Sequence, residues 1–337
     1  MKAFAYRDRI AFDSLVEVKL PDPVPGPHDV LLRMRAAALN YRDLAIAKGD
    51  YHVAVNPPLV PLSDGAGEVI QIGTQVTRLR VGDVACPTYL PDWIEGPITP
   101  RVARRRLGGP SDGVFAELIC LHEDEVVKAP SHLEAVEAAT LPVTAVTAWH
   151  CLYQLGTLRP GETLIVLGSG GVSTSALQLA RAGGAKVIAV TRREEHRARL
   201  QQLGATDVLL DDGSGDWPRR AVAIAEGLGA HVAMDVVGGS SLARSITATR
   251  HGGEVHLVGY AADTSATLDI FDAIRRSTVI RVASAGNRHS FEALARVFEQ
   301  QEIRPAIDRI FPAARFRDAF DHLAKGGHFG KVVLSFG

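Results

Sequence analysis

Three cysteines in 337 residues, Cys86, Cys120 and Cys151, are too few and too scattered for a disulfide framework. None forms a C-x-x-C pair, which excludes a cysteine-rich zinc lobe and fits a reducing compartment. Charge of one sign is also lacking. With 37 basic against 38 acidic residues and a formal net charge of −1, there is no general field for nucleic acid or an anionic membrane. No apolar run is long enough to span a bilayer. The opening residues, Met1 to Asp8, are charged early and carry no apolar signal core. These absences predict a cytoplasmic protein with no nucleic-acid or membrane partner. What the chain does have is apolar surface to bury. Its 46% apolar content supports a substantial core and argues against disorder. The length suits two domains or one large one. The one tight basic run, Arg104-Arg105-Arg106, reads as an exposed loop face.

The stretch from Thr163 to Gly204 alternates strand, turn and helix. Thr163-Leu164-Ile165-Val166-Leu167 is an apolar run suited to a buried parallel strand. Gly168-Ser169-Gly170-Gly171-Val172-Ser173 follows at once, and an apolar-periodic segment then runs to Gly183-Gly184. A second strand, Lys186 to Val190, ends at Thr191-Arg192-Arg193. A glycine turn in this context places backbone N–H groups at a helix N-terminus, where a dinucleotide's pyrophosphate can sit. Gly168 permits the tight exit from the strand, and Gly170 lets a phosphate approach without meeting a Cβ. The third position usually carries Gly or Ala so that helix and strand pack closely. Here it is Ser173, a departure from the pattern.

An NAD site usually has Asp or Glu about 20 residues beyond the glycines, on the ribose 2′-hydroxyl. This chain has Thr191, Arg192 and Arg193 there. An acid would repel a 2′-phosphate, whereas a hydroxyl and guanidinium groups bind it. The expected cofactor is therefore NADPH rather than NADH, held by Gly168, Ser169, Gly170, Gly171, Val172, Thr191, Arg192 and Arg193.

Along the chain, the first 120 or so residues read as strand-rich, with turn signals at Pro21-Asp22-Pro23, Pro25-Gly26-Pro27 and Val81-Gly82-Asp83. Between Pro87 and Gly113 lies a loop heavy in Pro, Gly and Arg, containing Trp93. From about Leu133 helices alternate with strands. Glu134 to Leu141 reads as helix, and strands are predicted at 163–167, 186–190, 207–210, 232–237, 254–258 and 279–284. That alternation predicts an α/β fold with a doubly wound parallel sheet. Helices near 290–300 and 314–323 and a strand at 331–334 complete the chain. The run Val279-Ile280-Arg281-Val282-Ala283 would leave an open edge if it ends the sheet, and predicts edge-to-edge pairing into a homodimer.

The landmarks in order are Met1-Lys2-Ala3, Asn40-Tyr41-Arg42-Asp43, Pro61 to Val69, Val81-Gly82-Asp83-Val84, Ala138-Ala139-Thr140-Leu141-Pro142, the glycine turn, and Gly327 to Leu334. On these the chain resembles, over essentially its full length, the medium-chain dehydrogenase/reductase superfamily, on its zinc-free, quinone-oxidoreductase-like side. The resemblance implies a Rossmann sheet plus a β-rich GroES-like catalytic domain. Residues 1–125 would form the catalytic domain and 126–270 the nucleotide-binding domain. Residues 271–337 would supply the last Rossmann strand and the return to the catalytic domain.

Zinc members carry Cys where this chain has Asn40, His-Glu where it has Ser63-Asp64, and a second Cys where it has Val143. That set cannot hold a catalytic zinc, so no metal is expected. Without a Lewis acid, hydride transfer favours acceptors whose charge can delocalise, namely quinones and enones. By resemblance, Tyr51 sits near the cleft as a hydroxyl donor, Asn40 takes the lost ligand's place against substrate or nicotinamide ribose, and Asp64 orients its neighbours. Further cofactor contacts implied by the resemblance are Thr147, Val237, Gly259, Asn287 and Lys331. Trp93 either walls an apolar pocket or anchors its loop. The leading expectation is a zinc-independent NADPH-dependent reductase of quinones or α,β-unsaturated carbonyls. A zinc-free alcohol or aldehyde dehydrogenase is the alternative, and a nucleotide-binding protein without turnover a third.

Overall fold

The structure, a computed structural model, describes every residue but Ser284. It divides into two compact units. One comprises Met1–Val146 with Ala285–Gly337, and the other Thr147–Ser284. These limits lie later in the chain than 125 and 270. The short helix Ala135–Ala138 packs on strands of the first unit, and the strand Val279–Val282 pairs into the sheet of the second.

The second unit is built on a sheet of six strands, all of whose pairings are parallel. Counted in chain order the strands are Thr163–Leu167, Lys186–Thr191, Asp207–Leu210, Ala230–Asp235, Thr249–Leu257 and Val279–Val282. Their order in space is 3-2-1-4-5-6, the doubly wound arrangement in which ligands bind beyond the carboxyl ends of the strands. The first strand is buried along its whole length because helices must cover both faces of a parallel sheet. Val279–Val282 lies at one edge, and Val279, Ile280 and Val282 are exposed there. Ser284, the last residue of the predicted sixth strand, lies outside the described residues.

The first unit carries a two-stranded ribbon, Lys2–Tyr6 with Leu15–Lys19, and a larger mixed sheet. At the centre of the larger sheet, Asp29–Leu39 pairs antiparallel with both Asp64–Ile72 and Lys331–Ser335. The core beneath is apolar, with Phe4 stacked on Phe115 at 4.1 Å between ring centres and Phe316 edge-on to both. The register sets the chemistry. Ala38 faces Asp64 and Leu39 faces Val332, so Asn40, Asp64 and Lys331 come to the same end of three adjacent strands.

The helix predicted over 134–141 is shorter. Ala135–Ala138 is α-helical, after which Leu141–Ala145 winds as a wider π-type turn. Pro142 supplies no N–H there, so the regular ladder cannot continue unchanged. Pro87 ends the strand Val84–Pro87, and residues 88–113 form no helix or strand, yet the segment is tethered at several points. Trp93 is buried with Tyr89, Leu90, Val102, Val143 and Ala285, and its indole N–H donates to the Gly96 carbonyl at 2.9 Å. Arg105 forms a two-pronged pair with Glu125, so the middle of the arginine run is a loop anchor rather than a merely exposed face. No helix among the described residues is long and apolar enough to cross a membrane.

Candidate active site

In the first unit a polar cluster is buried at that shared strand end. Lys331 Nζ donates to Asn40 Oδ1 at 2.6 Å and to Asp64 Oδ2 at 3.0 Å. Asn40 is 7% exposed, Lys331 4% and Asp64 0%. Asn40 Nδ2 lies 3.5 Å from Ser63 Oγ, at the outer limit of a hydrogen bond. Asp64 Oδ1 has no partner among the described residues. Burial pushes the Asp64 carboxyl up, and the Lys331 ammonium opposes that shift. The backbone N–H of Asn40 donates to Asp43 Oδ2 at 2.8 Å, which fixes Asn40 at the start of the helix Tyr41–Lys48. Asp43 is thus a structural cap for Asn40. Burial raises its carboxyl to about 6, although the Arg42 guanidinium pulls the other way.

The cluster does not fit zinc. A catalytic zinc takes about three N, S or O protein ligands and keeps one position open. Here one oxygen of Asn40 and one of Asp64 already hold an ammonium, Ser63 offers a neutral hydroxyl, and Val143 offers nothing. A divalent cation would have to displace the cation already in place.

Next to it, Arg42 is a buried guanidinium between two tyrosine rings, 5.1 Å from the centre of Tyr51 and 4.9 Å from that of Tyr89. It donates to the Leu107 and Gly109 carbonyls at 3.1 and 2.9 Å, and so pins the long loop. Its Nε reaches the Tyr51 hydroxyl at 3.4 Å, and that hydroxyl lies 3.1 Å from the Tyr89 hydroxyl. Burial alone would raise the Tyr51 hydroxyl. Arg42, followed by the bond from Tyr89, outweighs it and leaves Tyr51 more acidic than usual. Tyr89, more deeply buried, is shifted the other way. Neither Arg42 nor Tyr89 stood out in the sequence. Arg42 adjoins the Asn40 landmark, and its depth was the missing signal.

In the second unit the glycine turn sits between the first strand and the helix Gly171–Ala182. Gly168 has φ +77°, a left-handed conformation that glycine adopts without cost. A Cβ added at Gly168 or Gly170 would meet nothing within 4 Å, so open space lies against the turn. That geometry fits a dinucleotide's phosphates on the N–H groups of Gly170, Gly171 and Val172. Ser169 Oγ and His196 Nδ1 lie 2.7 Å apart, which ties the turn to the segment after the second strand. Ser173, where glycine is usual, is buried and donates to the Leu167 carbonyl at 2.6 Å. Its hydroxyl faces the strand instead of clashing with it.

Thr191 is buried, and its Oγ1 accepts the Arg193 N–H at 3.1 Å. The Arg192 side chain is 72% exposed and lies 3.5 Å from Asp211; Arg193 lies 3.2 Å from Glu195. Asp211, beyond the end of the third strand, was not singled out in the sequence because its nearness to Arg192 arises from strand pairing. Thr147 is buried in the helix Val146–Trp149. Val237 donates its N–H to Asp235 Oδ1 at 3.0 Å. A Cβ at Gly259 would fall 1.9 Å from the Val236 carbonyl oxygen, so this glycine is required by strand-end packing. Asn287 accepts the Ser290 N–H at 2.8 Å and caps the helix Arg288–Gln300. Lys331 lies in the first unit's cluster with Asn40 and Asp64.

Comparison with known proteins agrees with this arrangement. Residues 26–131 match the alcohol dehydrogenase GroES-like domain and 171–300 the zinc-binding dehydrogenase domain. The chain is 34% identical, over 98% of both lengths, to a zinc-type alcohol dehydrogenase-like protein of Schizosaccharomyces pombe. It is 27% identical, over 94% of this chain and 95% of the other, to an acryloyl-coenzyme A reductase of Metallosphaera sedula. A solved chain of Sinorhizobium meliloti 1021, provisionally named an alcohol dehydrogenase, superposes with a TM-score of 0.93 at 34% identity over 99% of this chain and 98% of its own. The chain therefore belongs to the medium-chain dehydrogenase/reductase superfamily, a family of nicotinamide-dependent oxidoreductases.

Proposed function

We propose that the protein is a zinc-independent, NADPH-dependent reductase of quinones or α,β-unsaturated carbonyls, working as a cytoplasmic homodimer. The observation that carries this reading is the Lys331 ammonium on Asn40 and Asp64, in a donor set unsuited to zinc. The three cysteines are free, in keeping with a reducing compartment. The edge strand Val279–Val282 and the outward Ile270, Phe271 and Ile274 on the neighbouring helix offer a second copy an apolar face.

The glycine turn would hold the pyrophosphate, and Arg192 with Arg193 would take the 2′-phosphate, Arg192 leaving its contact with Asp211. Bound there, the reduced nicotinamide supplies a hydride. When the β-carbon of an enone gains that hydride, charge moves to the carbonyl oxygen. A fixed donor at that oxygen lowers the barrier. Asn40 Nδ2 is that donor. Tyr51, made more acidic by Arg42, delivers the proton to the α-carbon and completes the saturated ketone.

The names of relatives, alcohol dehydrogenases for the most part, favour a second reading: a zinc-free alcohol or aldehyde dehydrogenase on the same site. The test is NADPH oxidation over quinones, enones and aldehydes, beside the reverse assay with alcohols, after exhaustive chelation. Turnover of quinones or enones by metal-free protein is the expected result. Stoichiometric zinc whose removal abolishes activity would overturn the proposal, and turnover confined to alcohols would install the second reading.

A further inference from the structure

Zinc in this superfamily is an electrophile, and a donor set that rejects it leaves an electrostatic role unfilled. We propose that Lys331 fills it as a positioning residue. Clamped by Asp64, it turns the Asn40 carboxamide oxygen inward, so that Asn40 meets the substrate only as a hydrogen-bond donor. The inference rests on the reductase reading and narrows its substrate class to groups that accept a hydrogen bond at the reacting oxygen.

The orientation follows from valence. An amide side chain presents an acceptor oxygen on one side and a two-proton donor on the other, and its neighbours decide which faces where. An ammonium has three donors and no acceptor. At 2.6 Å from Nζ, the Asn40 atom must be the oxygen. The NH₂ group is the side left for other partners: it lies 3.5 Å from Ser63 Oγ, and it also reaches toward the Asp64 carboxylate, whose negative form it favours. The Ser63 contact is at the outer limit of a hydrogen bond, so a substrate oxygen can compete for that N–H.

Asp64 makes the arrangement stable. A buried ammonium is costly unless it is paired and hydrogen-bonded. The Asp64 carboxylate lies 3.0 Å from the Lys331 Nζ as its counter-ion. Strand register keeps all three groups together, since Asp64 and Lys331 begin the two strands that flank Asp29–Leu39. A charge-assisted bond at the amide oxygen also polarises the amide and strengthens its N–H as a donor.

The consequence concerns the substrate. A carbonyl or quinone oxygen gains negative charge on reduction and is met by a polarised N–H. Asn40 is therefore placed to stabilise a carbonyl or quinone oxygen that carries negative charge in the transition state.

The test compares full-length variants on whichever acceptor the wild type turns over. Asn40→Asp replaces the donor by an acceptor of nearly the same shape, and kcat should fall by roughly 10²–10³, the effect of losing one oxyanion donor. KM for NADPH should hold. Lys331→Arg keeps the charge and should retain more activity than Lys331→Met. Lys331→Met alone strands the Asp64 carboxylate, so Lys331→Met with Asp64→Asn keeps the test valid if the single variant does not fold. In that double variant the Asn40 side-chain NH₂ resonances, assigned by their loss in Asn40→Asp, should shift upfield as the charged partner disappears. Unmoved resonances, or an Asn40→Asp protein with wild-type kcat, would overturn the proposal. If the wild type reduces nothing in the panel, the reductase reading falls, and the amide resonances still decide the role of Lys331.

Discussion

Arg192 and Arg193 are exposed side chains whose observed partners are acids of the same unit, Asp211 and Glu195. Exposed pairs of this kind are worth little, about 0–1 kcal/mol. A 2′-phosphate can therefore recruit either guanidinium at small cost. Losing its charge-assisted bonds costs roughly 1.5–3 kcal/mol, about one to two decades in affinity. Binding of NADPH should weaken by that order in the double change Arg192→Ala, Arg193→Ala, while NADH binding hardly moves. Nicotinamide fluorescence titrations of both cofactors check it. An equal loss for both, or a wild-type preference for NADH, would reduce these arginines to a solvated turn. At the same scale, the sequence made Asn40, Tyr51, Asp64 and Lys331 visible one by one. It did not reveal that Lys331 meets Asn40 and Asp64, or that Arg42 lies between two tyrosine rings. Those contacts join residues up to 291 positions apart and exist only after the strands pair.

The helix Gly171–Ala182 shows how an element absorbs a departure from its motif. Ser173 fills the usual glycine position and returns a hydrogen bond to the preceding strand. Restoring the motif with Ser173→Gly should destabilise the protein. A glycine in a helix costs about 1 kcal/mol relative to alanine, and the lost bond costs about 1 more. Urea unfolding of Ser173→Gly and Ser173→Ala separates the two contributions; a variant more stable than wild type would show that the serine is merely tolerated. The turn His150–Leu155 carries a second element-level test. Burial, with His256 adding repulsion, holds the His150 imidazole down at about 4. The unfolded chain, with an imidazole pKa near 6.5, binds more protons in between. Stability is thus full above the unfolded value and is lost as pH falls from about 6.5 towards 4. Calorimetric melting across that range should show the decline, and His150→Gln should flatten it. Equal slopes in the two proteins would locate the titration elsewhere.

The parallel sheet ends on Val279–Val282, with Val282 73% exposed and Phe271 on the adjacent helix 85% exposed. An unpaired, apolar edge of this kind invites a second copy of the same edge. Sedimentation at micromolar concentration should give a dimer. Val282→Lys with Phe271→Glu should give a monomer, since charges on an edge block pairing. A wild-type monomer at that concentration would remove the dimer from the proposed function.

The sequence by itself determined the architecture of the second unit and its nucleotide turn, because both are written in local signals. An apolar run flanked by glycines is a buried strand, and a glycine turn before an apolar-periodic segment is a helix start. Hence the first strand was predicted with the limits observed, 163–167. The wider turn over Leu141–Ala145 escaped, because it depends on what packs against the segment. Tertiary structure alone decided the electrostatics of the candidate site. Strand register gathered Asn40, Asp64 and Lys331 into one buried cluster, and burial turned three ordinary polar residues into a fixed ammonium, its counter-ion and an oriented amide. A polar side chain in water is free to choose its partners. Out of water it must keep the ones the fold supplies, and that obligation cannot be read from residues 267 or 291 positions apart in the chain.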